Sequence, residues 1–124
     1  MTVVYLGFNA LLYAVVGAWC TFAADRTARA LGYASLDRAG QSEYLVIYGG
    51  LQLGLALAFA LFAWNESFHR AGLLFALCLY GGIVVFRAAT LWMYGPVPAL
   101  TWAIAALELL LLLGAGALWL TREQ

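Results

Sequence analysis

Residues 71–120 read AGLLFALCLYGGIVVFRAATLWMY, then GPVP, then ALTWAIAALELLLLLGAGALWL. Ala71–Tyr94 and Ala99–Leu120 are apolar runs that carry one charge each, Arg87 and Glu108. A bilayer core needs roughly 20 apolar residues of helix at about 1.5 Å each, so each run is long enough to cross once. Proline cannot continue the preceding helix, so GPVP reads as a tight turn between the two. Outward from this hairpin, Val3–Ala24 and Tyr44–Trp64 are two further runs of the same kind, both uncharged.

The whole composition agrees. Of 124 residues, 66% are hydrophobic and 10% charged, against about 25% charged in an ordinary soluble domain. Six arginines balance six acids, and lysine is absent. That balance supplies no basic patch for a nucleic acid, and so much apolar sequence excludes disorder. The expectation is all-α: one integral membrane domain over residues 1–124, an antiparallel up-and-down four-helix bundle with helices at about 3–24, 44–64, 71–94 and 99–120. Val3–Ala24 has neither a basic start nor an A-x-A cleavage site, and reads as a retained helix.

Half of all the charges fall in the longest connection, Asp25–Glu43. Ser42 is placed to cap the second helix, since its oxygen accepts orphan backbone N–H bonds. Arg26, Arg29 and Arg38 flank the spans on that side, and Arg70 and Arg122 on the other, so the positive-inside rule decides no orientation. Trp19, Trp64, Trp92, Trp102 and Trp119 lie near span ends and read as an interfacial belt. Small residues let membrane helices approach closely. Gly49, Gly50 and Gly54 are therefore expected to pack, with a homodimer contact as the alternative to packing inside the bundle.

A charge at bilayer depth costs at least a few kcal/mol, so Arg87 and Glu108 must be paired, hydrated or functional. Arg87 lies seven residues from Tyr94 and Glu108 nine from Ala99, or about 10–14 Å from the turn side. They can meet at one level and form a charge-assisted pair. Gln52 lies about 12 Å in from Tyr44, with Tyr48 one turn above it. Tyr48, Gln52, Arg87 and Glu108 are thus expected to form one intramembrane cluster. Glu43, Tyr80, Thr90 and Tyr94 are placed at its mouth or at an interface. The cluster reads either as a clasp between helices or as a pocket for a small or lipid-like ligand. Asn9 and Tyr13 lie nearer the opposite side and are expected to bond a neighbouring helix. His69, in the short polar loop Asn65–Arg70, is expected in water.

Catalytic chemistry finds no constellation. There is no Ser/His/Asp set, no CxxC and no histidine pair, so no catalytic residue, metal or cofactor is expected. Cys20 and Cys78 fall at different depths, too far apart for a disulfide.

Ser42–Leu57, SEYLVIYGGLQLGLAL, resembles the second-helix signature of a bacterial family of four-helix membrane proteins, domain of unknown function 4345, itself distantly like the small DoxX-type membrane proteins. Glu43, Tyr48, Gly49 and Gly50 carry the likeness. Arg87, the turn that opens at Gly95 and Glu108 resemble that family's third-helix arginine, Gly-x-Pro turn and fourth-helix glutamate. Tyr44–Val46 stands where the family often has an arginine, and Tyr94 where it usually has an aspartate. The resemblance implies a four-helix fold in a bacterial cytoplasmic (inner) membrane and brings no activity with it. The expected protein is non-enzymatic, bathed in lipid, and holds a small or lipid-like ligand at the polar cluster or uses it as a clasp. An accessory subunit of a larger membrane complex is the alternative. A proton-coupled transporter or a membrane enzyme is less favoured, because the polar residues reach deep from one side only.

Overall fold

The computed structural model describes residues 1–122, with side chains for residues 1–121, and its regular structure is entirely helical. Arg122, weighed above among the flanking charges, has its side chain outside the described residues, and Glu123 and Gln124 lie wholly outside them. The elements are α1 (Thr2–Phe22), α2 (Ala24–Ala30), α3 (Arg38–Tyr44), a π-helical segment (Leu45–Gly50), α4 (Leu51–Trp64), α5 (His69–Tyr94) and α6 (Ala99–Arg122). Since α3, the π segment and α4 run on as one rod, four helices are long and apolar enough to span a membrane.

The connection after α1 is more ordered than its polarity suggested. Asp25 opens α2 and Arg29 closes it, each complementing the helix dipole. Gly32 then takes φ 95°, a left-handed conformation that costs glycine little. Its N–H bonds the Arg29 carbonyl while the Tyr33 N–H bonds that of Ala28, a paired C-terminal cap that turns Tyr33 back toward the bundle. The second rod starts at Arg38, not Tyr44. Its cap is Asp37, whose carboxylate accepts the Gly40 N–H at 2.7 Å, and Ser42 lies inside the helix. Hydropathy marks where lipid begins, whereas the helix begins at its cap, one polar turn or more earlier.

The π segment changes which faces meet. The Leu51 N–H reaches back five residues to the Val46 carbonyl, which in effect inserts one residue and turns the rod by about 100° relative to a regular wheel. Gly49 therefore faces α1, where an added Cβ would sit 2.6 Å from Thr21 Oγ1. Gly50 is exposed, and a Cβ on Gly54 would meet nothing within 4 Å. The expected packing stripe thus reduces to Gly49. The Gly50–Gly54 face points away from the rest of the chain.

Particular side chains fix the packing. Cys20 meets Tyr44, Gly17 meets Gln52 and Leu53, and Tyr13 stacks on Phe59, so α1 lies along the second rod. Arg87 meets Glu108 and Arg70 lies 5.0 Å over the Trp119 ring, so α5 lies along α6. Leu6, Phe59, Ala76, Tyr80, Leu111 and Ala115 form a core drawn from all four long helices. His69 is buried beneath this end with Nε2 3.3 Å from the Ala63 carbonyl, not solvated, because the 3-10 turn Glu66–Phe68 folds it under α4. A second, smaller cluster joins Cys20, Ala28 and Tyr44. Both cysteines are free.

The core stops abruptly. No residue from 81 to 110, the outer half of the α5–α6 hairpin, is buried. At the other end packing is tight. A Cβ on Gly72 would approach Phe62 Cβ to 2.8 Å and Leu6 Cδ2 to 3.1 Å. Gly72→Val should therefore lower stability by about 1–3 kcal/mol through overpacking, read as a drop in the detergent melting temperature. Gly82→Ala, with open space at its Cβ, should leave it unchanged or raise it. Equal drops in the two variants would refute the close fit at Gly72.

Candidate functional site

Arg87 on α5 and Glu108 on α6 face each other across the hairpin. Arg87 Nε donates to Glu108 Oε2 at 2.9 Å and Nη2 donates to Oε1 at 2.8 Å, so the guanidinium edge meets the carboxylate squarely. Such two-point contact suits arginine, whose planar fork matches a carboxylate and whose charge is permanent. The pair is not sealed: the side chains keep 31% and 14% of their accessible surface. It lies within the outer half of the hairpin, about two turns beyond the buried Tyr80 on α5 and one turn before the buried Leu111 on α6.

Arginine carries five N–H donors. Glu108 takes one from Nε and one from Nη2, and the other three have no acceptor among the described residues.

The remaining cluster residues are placed differently from the helical wheel. Gln52 does not bond the pair; its Nε2 donates to the Ile47 carbonyl at 3.4 Å. The π segment leaves that oxygen without the Leu51 N–H it would hold in a regular helix, so the side chain serves its own backbone. Tyr48 stacks on Tyr44 at 4.6 Å between ring centres, and its hydroxyl lies 3.4 Å from that of Tyr33. Tyr80 is not at a mouth. It is 1% exposed in the core, where its hydroxyl donates to Asn9 Oδ1. Thr90 bonds only the Arg87 carbonyl of its own helix, and Tyr94 is exposed at the hairpin tip. Glu43 is exposed beside a cavity of about 290 Å³ that it lines with Tyr33, Tyr44 and Tyr48.

Behind the pair runs a polar seam that the expected cluster omitted. Tyr13 stacks with Tyr80, Tyr80 bonds Asn9, Asn9 Nδ2 donates to the Tyr5 carbonyl at 2.8 Å, and the Tyr5 hydroxyl donates to the Leu111 carbonyl at 2.8 Å. Its signal in the sequence is the spacing of Tyr5, Asn9 and Tyr13 by fours, one face of α1. Every buried side-chain polar atom among the described residues has a partner, so this seam is closed within the protein. The donors of Arg87 differ in facing outward. Among the described residues no three His, Cys, Asp or Glu side chains gather as a metal site.

No curated protein and no solved structure gives a match to the chain. One family model does, over residues 1–120, a span that takes in all four long helices together with Arg87 and Glu108. The chain therefore belongs to the family described as domain of unknown function 4345 (DUF4345).

Proposed function

We infer that this is an integral membrane binding protein, its helices alternating in direction across a bacterial cytoplasmic membrane, and that Arg87 and Glu108 form the polar end of a site for a small amphiphile. The observation that carries this reading is the outward side of Arg87. Three N–H groups without a protein acceptor at bilayer depth are costly in hydrocarbon, where each unmet polar group forfeits several kcal/mol. The ligand class follows. Glu108 already neutralises the guanidinium, so the occupant needs oxygen lone pairs more than a charge, and a carboxylate, ester or hydroxyl headgroup meets that need. Its apolar part lies along the unburied outer half of the hairpin, entering sideways from the lipid.

Sodium oleate and monoolein are suitable probes in detergent. A ligand that binds only the folded state raises stability by RT ln(1 + [L]/Kd), about 2.7 kcal/mol at a hundredfold excess over Kd. At least one probe should raise the melting temperature of the parent, and neither should raise that of Arg87→Leu/Glu108→Leu, which removes the donors without stranding a charge. Equal shifts in both proteins, or none in the parent, would overturn the assignment.

A second reading has its own observation. The outer hairpin, with no buried residue, and the outward Gly50–Gly54 face leave two surfaces that another membrane helix would fit. That reading makes the protein an accessory subunit, and predicts a stoichiometric partner or a second copy after extraction in mild detergent. A clean monomer from native membranes would count against it.

A further inference from the structure

At the far end of α1 a separate cavity of about 410 Å³ opens between the ends of the first two spans. One wall is polar, made by Arg26 and Arg29 of α2 and Gln41 of α3; another is apolar, made by Phe22 and Leu45. Phe22 is 89% exposed and Leu45 39%, and Trp19 stands one turn below, so this wall continues into the lipid-facing surface of α1 and the second rod. Arg26 and Arg29 are three apart on one helix and share a face. Both are exposed, and neither has an ion-pair partner among the described residues. Asp25 also lines the cavity, so two guanidinium groups stand against one carboxylate and the walls stay net positive.

We propose that this cavity binds the headgroup phosphate of an anionic phospholipid, with Arg26 and Arg29 on the phosphate, Gln41 as an added donor, and the acyl chains running along Phe22 and Leu45. It rests on the membrane assignment and is independent of the Arg87 site. A continuous path from two unpaired guanidiniums to exposed apolar side chains, at the level of a span end, fits the shape and polarity of a lipid; a soluble phosphate would leave the apolar wall unused. The site marks this side of the protein as the one facing an anionic leaflet.

The test uses the full chain in nanodiscs of equimolar phosphatidylglycerol and phosphatidylcholine, with native mass spectrometry counting the lipids retained after release. An arginine beside an anionic surface contributes about 1 kcal/mol, or about a fivefold bias. Two arginines opposed by Asp25 should therefore enrich phosphatidylglycerol about fivefold on the parent. Arg26→Gln/Arg29→Gln, which leaves Asp25 as the one charge in the lining, should bring enrichment to one or below, and Asp25→Asn should raise it above the parent value. The double variant should enter nanodiscs as the parent does; failure to do so would place these arginines in insertion and folding instead, and would overturn the site. A parent without enrichment, or a double variant that keeps it, would also overturn the site. In phosphatidylcholine discs, soluble glycerol phosphate that binds the parent and not the double variant would assign the arginines to a free phosphate and refute the lipid. Indifference to it agrees with the proposal.

Discussion

Arg87→Leu should destabilise the protein by about 1–3 kcal/mol, because it strands the Glu108 carboxylate, whose side chain is only 14% exposed, without its partner. The variant leaves Glu108 facing α5 without the two hydrogen bonds of 2.8 and 2.9 Å that now hold it. Glu108 lies nine residues inside α6, and its short stem cannot carry the carboxylate to the membrane edge. Glu108→Leu should cost less, because the long side chain of Arg87, already 31% exposed and only seven residues from the end of α5, can bend outward toward the headgroups. The double variant Arg87→Leu/Glu108→Leu should recover most of the loss, since a neutral, well-packed replacement of an ion pair is often neutral or stabilising. Chemical denaturation in mixed micelles measures all three, and the double-mutant cycle isolates the pair. A coupling energy near zero would mean that the two charges are held independently, by water or lipid, and that the hydrogen bonds contribute nothing to the fold.

The four spans could be read from the sequence because lipid imposes a simple requirement, a run of about 20 apolar residues, and each long helix supplies one. The Arg87–Glu108 level could be estimated for a related reason: a tight turn at GPVP leaves only the rise per residue to count. Other features were hidden by physics that a regular wheel does not contain. The winding of Leu45–Gly50 turns Gly50 and Gly54 outward and sets Gln52 to satisfying its own backbone. Nothing in LVIYGG marks that winding, because the i to i+5 pattern is a backbone choice supported by tertiary contacts such as Gly49 on Thr21. Tyr80 was misplaced for a different reason. Spaced by sevens, Tyr80, Arg87 and Tyr94 share a side of α5, yet they lie at successive depths, and the deepest finds Asn9 inside the core. The paired cap at Gly32 and the capping by Asp37 were legible in principle, since glycine and aspartate are strong local signals. The charges of Asp25–Glu43 mask them, since half of all the charges in the chain fall in that segment.

The largest loss should come from Tyr80→Ala. Tyr80 is 1% exposed, belongs to the core shared by all four long helices, and is stacked on Tyr13. In lipid, helices gain little from hiding apolar surface from one another, so close packing and internal hydrogen bonds carry their association. Removing the ring opens a cavity on the line that joins α1 to α5, and truncations of this size cost about 3–5 kcal/mol. It also takes the donor from Asn9 Oδ1, a buried acceptor, for about a further 1–3 kcal/mol. Tyr80→Phe separates the two effects. It keeps the ring and loses only the hydroxyl, so it should cost no more than the hydrogen-bond part. Asn9→Leu in the Tyr80→Phe background should then return part of that loss, because donor and acceptor vanish together. Thermal melts of the three variants in one detergent decide the matter. If Tyr80→Phe is as damaging as Tyr80→Ala, the polar seam through Asn9, and not the aromatic packing, is what joins the α1 side of the bundle to the α5–α6 hairpin.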